Sequence, residues 1–214
     1  MTKQRLIIIG ARAFGRKVCN YAREAGFNVV GFLDDMSEAL QGFEGYPSVL
    51  SSVEAYQVAS EDRFICAIGD SRMRAKYATL IEAKGGQFVN VIHPTAYIGP
   101  NVKMGEGCIV CPLAVLDCDL KLGRHVIANV HTLVSHDCIL DDYVTLSPNV
   151  HLGGRTMIRR ETFLGIGASV IPDCEIGPGT LVAAGAVVTH SVGANLFIAG
   201  VPATLKRVRG GVIR

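Results

Sequence analysis

From Ile92 onward the chain repeats itself every six residues without a break. The first position of successive hexads reads Ile92, Ile98, Met104, Val110, Leu116, Leu122, and holds this register to Val188. Seventeen consecutive hexads keep it, and 15 of the 17 first positions are Ile, Leu or Val. The fifth positions, from Ala96 and Val102 to Val192, are small or β-branched, Leu120 being the exception. Residues two apart in a short strand face the same side. The four-residue gap that follows turns a corner, and Gly, Asp, Asn and Ser crowd it, as turn chemistry requires. Repeated hexads therefore predict a parallel β-solenoid. Three faces close a prism, so one coil takes 18 residues and the repeat makes nearly six coils. The composition suits a closely stacked backbone: 24 glycines in 214 residues, 7% aromatics and no Trp.

The first 90 residues are different. Arg5-Leu-Ile-Ile-Ile9 reads as a buried parallel strand. Gly10-Ala-Arg-Ala-Phe-Gly15 follows, then a helix from about Phe14 to Ala25, a second strand over 29–33 and the acidic pair Asp34-Asp35. Glycines in such a first turn let a phosphate approach backbone amides at a helix N-terminus. The turn is G-x-x-x-x-G rather than G-x-G-x-x-G, which weakens a dinucleotide reading. The glycines equally serve tight strand–helix packing. A third strand over 64–68 runs into Gly69-Asp70, and a helix from about Ser71 to Lys84 follows. The ends of these strands converge on one crevice, where open α/β sheets bind ligands. Half of a dinucleotide fold suits a mononucleotide or a sugar.

Acyl transfer needs a base for the nucleophile's proton, a donor for the tetrahedral oxyanion and a groove for the acyl carrier. His136 stands at a corner and is followed by Asp137. An ordinary imidazole titrates near neutrality, and an adjacent carboxylate fixes its tautomer and raises its basicity. One coil on from His136 is Gly154, whose N–H has no side chain to block it. One coil back is Cys118, so a Cys–His nucleophilic pair is an alternative, although direct attack by an amine needs no acyl-enzyme. A solvated polar corner is the plain reading of His136. His131 lines the same cleft or is a solvated corner. His93-Pro94 marks the junction between domains; His125, His151 and His190 have no evident partner.

Together, the hexads, Gly10–Gly15, Asp34-Asp35, Ala67-Ile-Gly-Asp70, His93-Pro94, His136-Asp137 and the closing Gly200-Val-Pro-Ala203 resemble the hexapeptide-repeat acyltransferases. They are most similar to the bacterial sugar O- and N-acyltransferases of the sialic-acid O-acetyltransferase family, which includes the N-acetyltransferases of UDP-4-amino-sugars. The resemblance spans essentially the whole chain. It implies an α/β Rossmann-like domain over 1–90 that binds a nucleotide-linked amino sugar. A left-handed parallel β-helix acetyltransferase domain over 91–214 would follow, assembled as a homotrimer and using acetyl-CoA. It implies His136 as general base, Asp137 as its partner and Gly154 as oxyanion donor. Acceptor contacts would fall on Gly10, Arg12, Ala13, Phe14, Asp34, Asp35, Gly69 and Asn129, and coenzyme contacts on Thr145, Ile166 and Ala184. The chain departs from the family pattern at Phe14, where Gly-His-Gly is usual, and at Thr145, where many N-acetylating members carry a second His. The tail Lys206-Arg-Val-Arg209 either meets coenzyme phosphates or is a solvated basic end.

Charge bounds the alternatives. Twenty-one Lys and Arg against 19 Asp and Glu leave +2, too even a balance for a nucleic-acid binder. No apolar run predicts a membrane span or a signal peptide, so a cytoplasmic enzyme is expected. Seven Cys without CxxC spacing predict buried thiols rather than a disulfide framework or metal site. Two rival functions stand beside N-acetylation of a nucleotide-linked amino sugar. One is O-acetylation of a sialic acid or polysaccharide sugar; the other is a non-catalytic sugar-binding scaffold.

Overall fold

The structure, a computed structural model, describes residues 5–208. The basic start 1–4 and Arg209 of the tail lie outside the described residues. The N-terminal part forms a parallel sheet from β1 (Arg5–Ile9), β2 (Asn28–Leu33), β3 (Val49–Ser51), β4 (Asp62–Cys66) and β5 (Gln87–Phe88), in the order β3-β2-β1-β4-β5. Helices α1 (Ala13–Glu24) and α2 (Ser71–Ala83) cross over between strands. Leu6, Ile7, Ile8 and Ile9 are fully buried, as a strand covered on both faces requires. Strands β3 and β5 escape sequence reading because Val-Leu-Ser and Gln-Phe are too short to show a pattern. The third predicted strand ends early, at Cys66: the Ile68 and Gly69 carbonyls turn out of the sheet toward Arg74.

The first turn serves packing at one of its glycines. A Cβ on Gly15 would lie 1.8 Å from the Gly10 carbonyl oxygen, so only glycine lets α1 approach β1 so closely. Gly10 has φ +95°, a conformation that L side chains rarely adopt.

The rest of the chain winds through two-residue strands whose parallel partners are 18 residues apart, as in Val91↔Ile109 and Ile127↔Thr145. The first face of the prism carries strands Val91–Ile92, Ile109–Val110, Ile127–Ala128, Thr145–Leu146, Phe163–Leu164 and Leu181–Val182. The second runs from Tyr97–Ile98 to Val187–Val188, and the third from Lys103–Met104 to Glu175–Ile176. Inside, the hexad first and fifth positions form one continuous core, including Leu116, Val134, Leu146, Leu152, Ile158 and Leu164. Each such side chain contributes roughly 1.5–3 kcal/mol by burial. Cys108, Cys138 and Cys174 fill small core positions, and all seven cysteines are free.

The corners work differently from the sequence reading. Every sixth residue from Asn101 to Gly185 has positive φ, always at the fourth hexad position. Four of these are glycines (Gly107, Gly167, Gly179 and Gly185); the others include His125, His131, Asp137, Tyr143 and Arg155. A left-handed residue other than glycine costs roughly 1–2 kcal/mol. The repeat therefore carries a recurrent backbone cost that the stacked core offsets. The second-position glycines have ordinary φ and serve close stacking instead. A Cβ on Gly99 would lie 2.7 Å from the Asp117 oxygen, and one on Gly165 2.6 Å from the Ala184 nitrogen.

The last coil shortens by two residues, pairing Leu181 with Phe197. Strand Leu196–Ala199 then folds antiparallel against Thr204–Val208 across the Gly200–Ala203 connection. The N-terminal part packs onto the first face, where Ile109 and Ile127 join the core of Leu6, Ile8, Val18 and Phe32. His93 staples the junction: Nε2 meets Glu24 Oε2 at 2.5 Å and Nδ1 meets Thr95 Oγ1 at 2.8 Å. Among the described residues no helix is long and apolar enough to cross a membrane.

Candidate active site

Two constellations stand on opposite sides of the chain. The first lies on the edge between the second and third faces. His136 occupies that corner, and the left-handed backbone of Asp137 (φ +60°) folds its carboxylate back onto the ring. Nδ1 and Asp137 Oδ2 are 2.8 Å apart. A carboxylate oxygen only accepts, so Nδ1 carries the proton and Nε2 offers its lone pair outward. Gly154 stacks one coil above. A Cβ there would lie 2.7 Å from His136 Nε2, so any other residue collides with the Nε2 edge of the ring. The Gly154 N–H donates to no described residue. Arg155, beside it, is locked to Asp173 by two bonds of 2.7 and 2.8 Å. Cys118 is one coil below, and the hydrogen bond its thiol donates to the Asp119 carboxylate, ahead of burial, raises the thiol pKa. A thiol held protonated is a poor nucleophile.

The second constellation is a cavity of about 330 Å³ at the ends of β1, β2 and β4. Gly10, Arg12, Phe14, Asp34, Asp35 and Gly69 line it, over an apolar floor that includes Ile9 and Leu33. Ala13 starts α1 beside it. The two aspartates differ. Asp34 is spent on the fold, accepting from the Ala11 N–H at 2.8 Å and the Met36 N–H at 3.0 Å. Among the described residues Asp35 accepts only the Tyr77 hydroxyl, at 2.5 Å, and it lines the cavity. That hydrogen bond, with burial second, pushes the Tyr77 phenol up to about 12.

The helix termini differ too. The α2 N-terminus is closed by Asp70, which accepts from the Met73 N–H at 2.8 Å. The α1 N-terminus has no side-chain cap and no acidic residue in its first turn, and Arg12 is exposed beside it without a carboxylate partner among the described residues. Open amides, a helix dipole and a guanidinium give the α1 terminus the chemistry to receive an anion, which the capped α2 terminus lacks.

The remaining predicted residues divide between other places. Asn129, Ile166 and Ala184 lie on the edge between the first and second faces, one whole face away from His136. His131 is on that same edge, so the expected shared cleft with His136 does not exist within one chain. Thr145 requires a correction. It points outward from the first face, under the N-terminal part, and is 4% exposed. Its hydroxyl accepts from Arg74 at 2.8 Å and lies 3.3 Å from the Gly69 carbonyl oxygen. Buried there, it is out of a coenzyme's reach and belongs to the junction. His125 also has a place that sequence reading did not find: fully buried, stacked on Tyr143 with ring centroids 5.0 Å apart. His151 points outward from the second face, and His190 lies 3.4 Å from Thr189 Oγ1. Lys206 and Arg207 are exposed on the terminal strand. No described group of His, Cys, Asp or Glu is arranged to hold a metal.

Comparison with known proteins adds independent findings. The PglD N-terminal domain family matches residues 5–81, and the bacterial transferase hexapeptide (six repeats) family matches 155–190. GDP-perosamine N-acetyltransferase of Escherichia coli O157:H7 is 28% identical over 173 residues, 76% of each chain. The acetyltransferase domain of PglB from Neisseria gonorrhoeae FA1090, in complex with acetyl coenzyme A, is 31% identical. It superposes with a TM-score of 0.90 over 95% of this chain and 100% of that one. A histidine-to-asparagine variant of perosamine N-acetyltransferase from Caulobacter crescentus, in complex with CoA and GDP-perosamine, gives 0.87 at 32% identity over 94% and 96%. WeeI from Acinetobacter baumannii AYE gives 0.84 at 31% identity over 94% and 99%.

Proposed function

This chain belongs to the hexapeptide-repeat sugar N-acetyltransferases, and on that premise we propose that it transfers acetyl from acetyl-CoA to the amine of a nucleotide-linked amino sugar. The observation that carries this reading is the stack of Gly154 on the His136–Asp137 pair. The amine attacks the thioester carbonyl carbon directly. His136 Nε2 takes the amine proton as the C–N bond forms, Asp137 holds the imidazolium, and the Gly154 N–H faces the oxyanion. Collapse breaks the C–S bond, and the imidazolium returns its proton to the departing thiolate. The acceptor's nucleotide lies in the β1–β2–β4 cavity, with its diphosphate at the open α1 terminus and Arg12.

Assembly follows from the placement of these parts. The cavity sits over the first face and His136 on the edge opposite to it, while Ile166 and Ala184 lie on a third line. No single chain joins them, so the active site is built between subunits. The second face offers the contact surface. Its outward residues are Tyr97, Val115, Leu133 and Val187 beside His151 and Ser169, whereas the third face sets Lys103, Lys121 and Glu175 beside Ile139 and Met157. We therefore read a homotrimer. The test is thiol release from acetyl-CoA across UDP-, dTDP- and GDP-linked 4-amino-4,6-dideoxy sugars, with mass by light scattering. Turnover of at least one such sugar by a trimer is expected. A fully active monomer, or no turnover with any of them, rejects the reading.

A further inference from the structure

Among the described residues the largest fully buried side chain is Arg74, on α2. No carboxylate among the described residues touches it. Nη1 donates to the carbonyls of Ile68 at 2.7 Å and Gly69 at 3.2 Å. Nε donates to the His125 carbonyl at 3.0 Å. Nη2 donates to the Tyr143 carbonyl at 2.7 Å and to Thr145 Oγ1 at 2.8 Å. Burial lowers its pKa to about 10, which leaves it charged at neutral pH, so these bonds are charge-assisted.

The partners come from two places. Ile68 and Gly69 are the lip of the nucleotide cavity. His125 and Tyr143 occupy equivalent corners of successive coils, and Thr145 heads the next strand. One rigid fork thus ties the lip to the solenoid at several points. Apolar packing at the junction fixes proximity; a planar guanidinium aimed at named oxygens also fixes register.

We propose that Arg74 is a positioning residue, which holds the Ile68–Gly69 lip on the solenoid and so sets where the acceptor's reacting end meets a neighbouring subunit's base. The inference rests on the reading of the cavity as the acceptor site. On the same reading the coenzyme contacts are Ile166 and Ala184, on a solenoid edge away from this junction, so the two substrates should respond differently to its loss.

The test compares Arg74→Met, Arg74→Lys and Thr145→Val with the wild type by steady-state kinetics and by hydrogen exchange over residues 67–71. Arg74→Met should raise KM for the nucleotide sugar about tenfold or more, the scale of losing hydrogen bonds from a charged donor, and leave KM for acetyl-CoA unchanged. Arg74→Lys should recover part of that loss, and Thr145→Val should shift it slightly in the same direction. Exchange should quicken over 67–71 ahead of the rest of the chain. A lower Tm with both KM values unchanged would make Arg74 a plain fold stabiliser and overturn the proposal. If the Arg74 variants do not fold, Thr145→Val decides: a wild-type acceptor KM and wild-type exchange overturn it. Absence of turnover by the wild type rejects the functional reading instead. The positioning claim then stands or falls on whether the faster exchange is confined to 67–71.

Discussion

The two halves of the chain specify their structure in opposite ways. In the solenoid, each residue's environment follows from its place in a hexad, and the same contacts recur 18 residues away. In the N-terminal sheet nothing recurs. Its cavity depends on single long-range bonds such as Ala11 to Asp34 and Tyr77 to Asp35. The solenoid therefore tolerates change at most positions but not at the few where the repeat is put to chemical use. The cavity has no spare copies of anything. Substitutions on the two sides should separate accordingly.

The largest effect belongs to the solenoid corner. His136→Ala should lower kcat by about 10²–10⁴-fold, the usual worth of a general base, with acetyl-CoA affinity by calorimetry retained. Cys118→Ser, one coil away, should leave kcat nearly unchanged; an inactive Cys118→Ser would point to a two-step transfer and break the assignment. Gly154→Ala comes next. Its methyl meets the His136 ring, and misplacing a reacting group by about 1 Å can cost about 10²-fold. Ala at the equivalent corner one coil further from the base would not carry that penalty.

On the other side, Asp34→Ala removes the acceptor of two backbone amides that shape the cavity rim. Charged hydrogen bonds are worth roughly 1.5–3 kcal/mol, so nucleotide-sugar KM should rise about 10–100-fold. The kcat at saturation should stay close to wild type. A collapse of kcat with unchanged KM would show that the two halves are not separable in this way.

The smallest effect tests the junction. Burial first, then the charges of Arg124 and Arg74, push the His125 pKa down to about 3, against about 6.5 for a free imidazole. Between these values the unfolded chain binds a proton that the folded chain refuses. The contribution of neutral His125 is therefore whole above pH 6.5 and is lost progressively as pH falls toward 3. His125→Phe should flatten the acid side of a Tm-versus-pH curve by a few degrees while leaving its neutral value close to wild type.

The same contrast explains what was legible in the sequence. The hexads exposed the solenoid, its coil length and the stacking of Gly154 on His136, because periodic burial leaves a periodic trace. They did not expose the left-handed fourth positions. His125, Asp137, Tyr143 and Arg155 share no side-chain chemistry, and what they share is a backbone angle. The glycines at the second positions drew the eye instead, although they serve stacking. In the first 90 residues, β1 and the first turn were visible as an apolar run and two glycines. The junction was not: Arg74 reads as one more surface cation on a helix, and its partners on the solenoid lie more than fifty residues away. Thr145 was misplaced for the same reason, since an outward residue on a solenoid face is exposed or covered depending on what packs there.

The antiparallel Thr204–Val208 strand at the end of the first face bears on a hazard that any such repeat faces. A stack of identical parallel rungs is a template, and its open end presents unpaired amides and carbonyls to the next molecule in solution. Addition of one copy would leave the same end exposed, so growth would have no natural stop. Here the final rung of that face runs in reverse and displays Lys206 and Arg207. On this face an incoming parallel strand meets the reverse direction and a positive edge, which opposes end-to-end growth there.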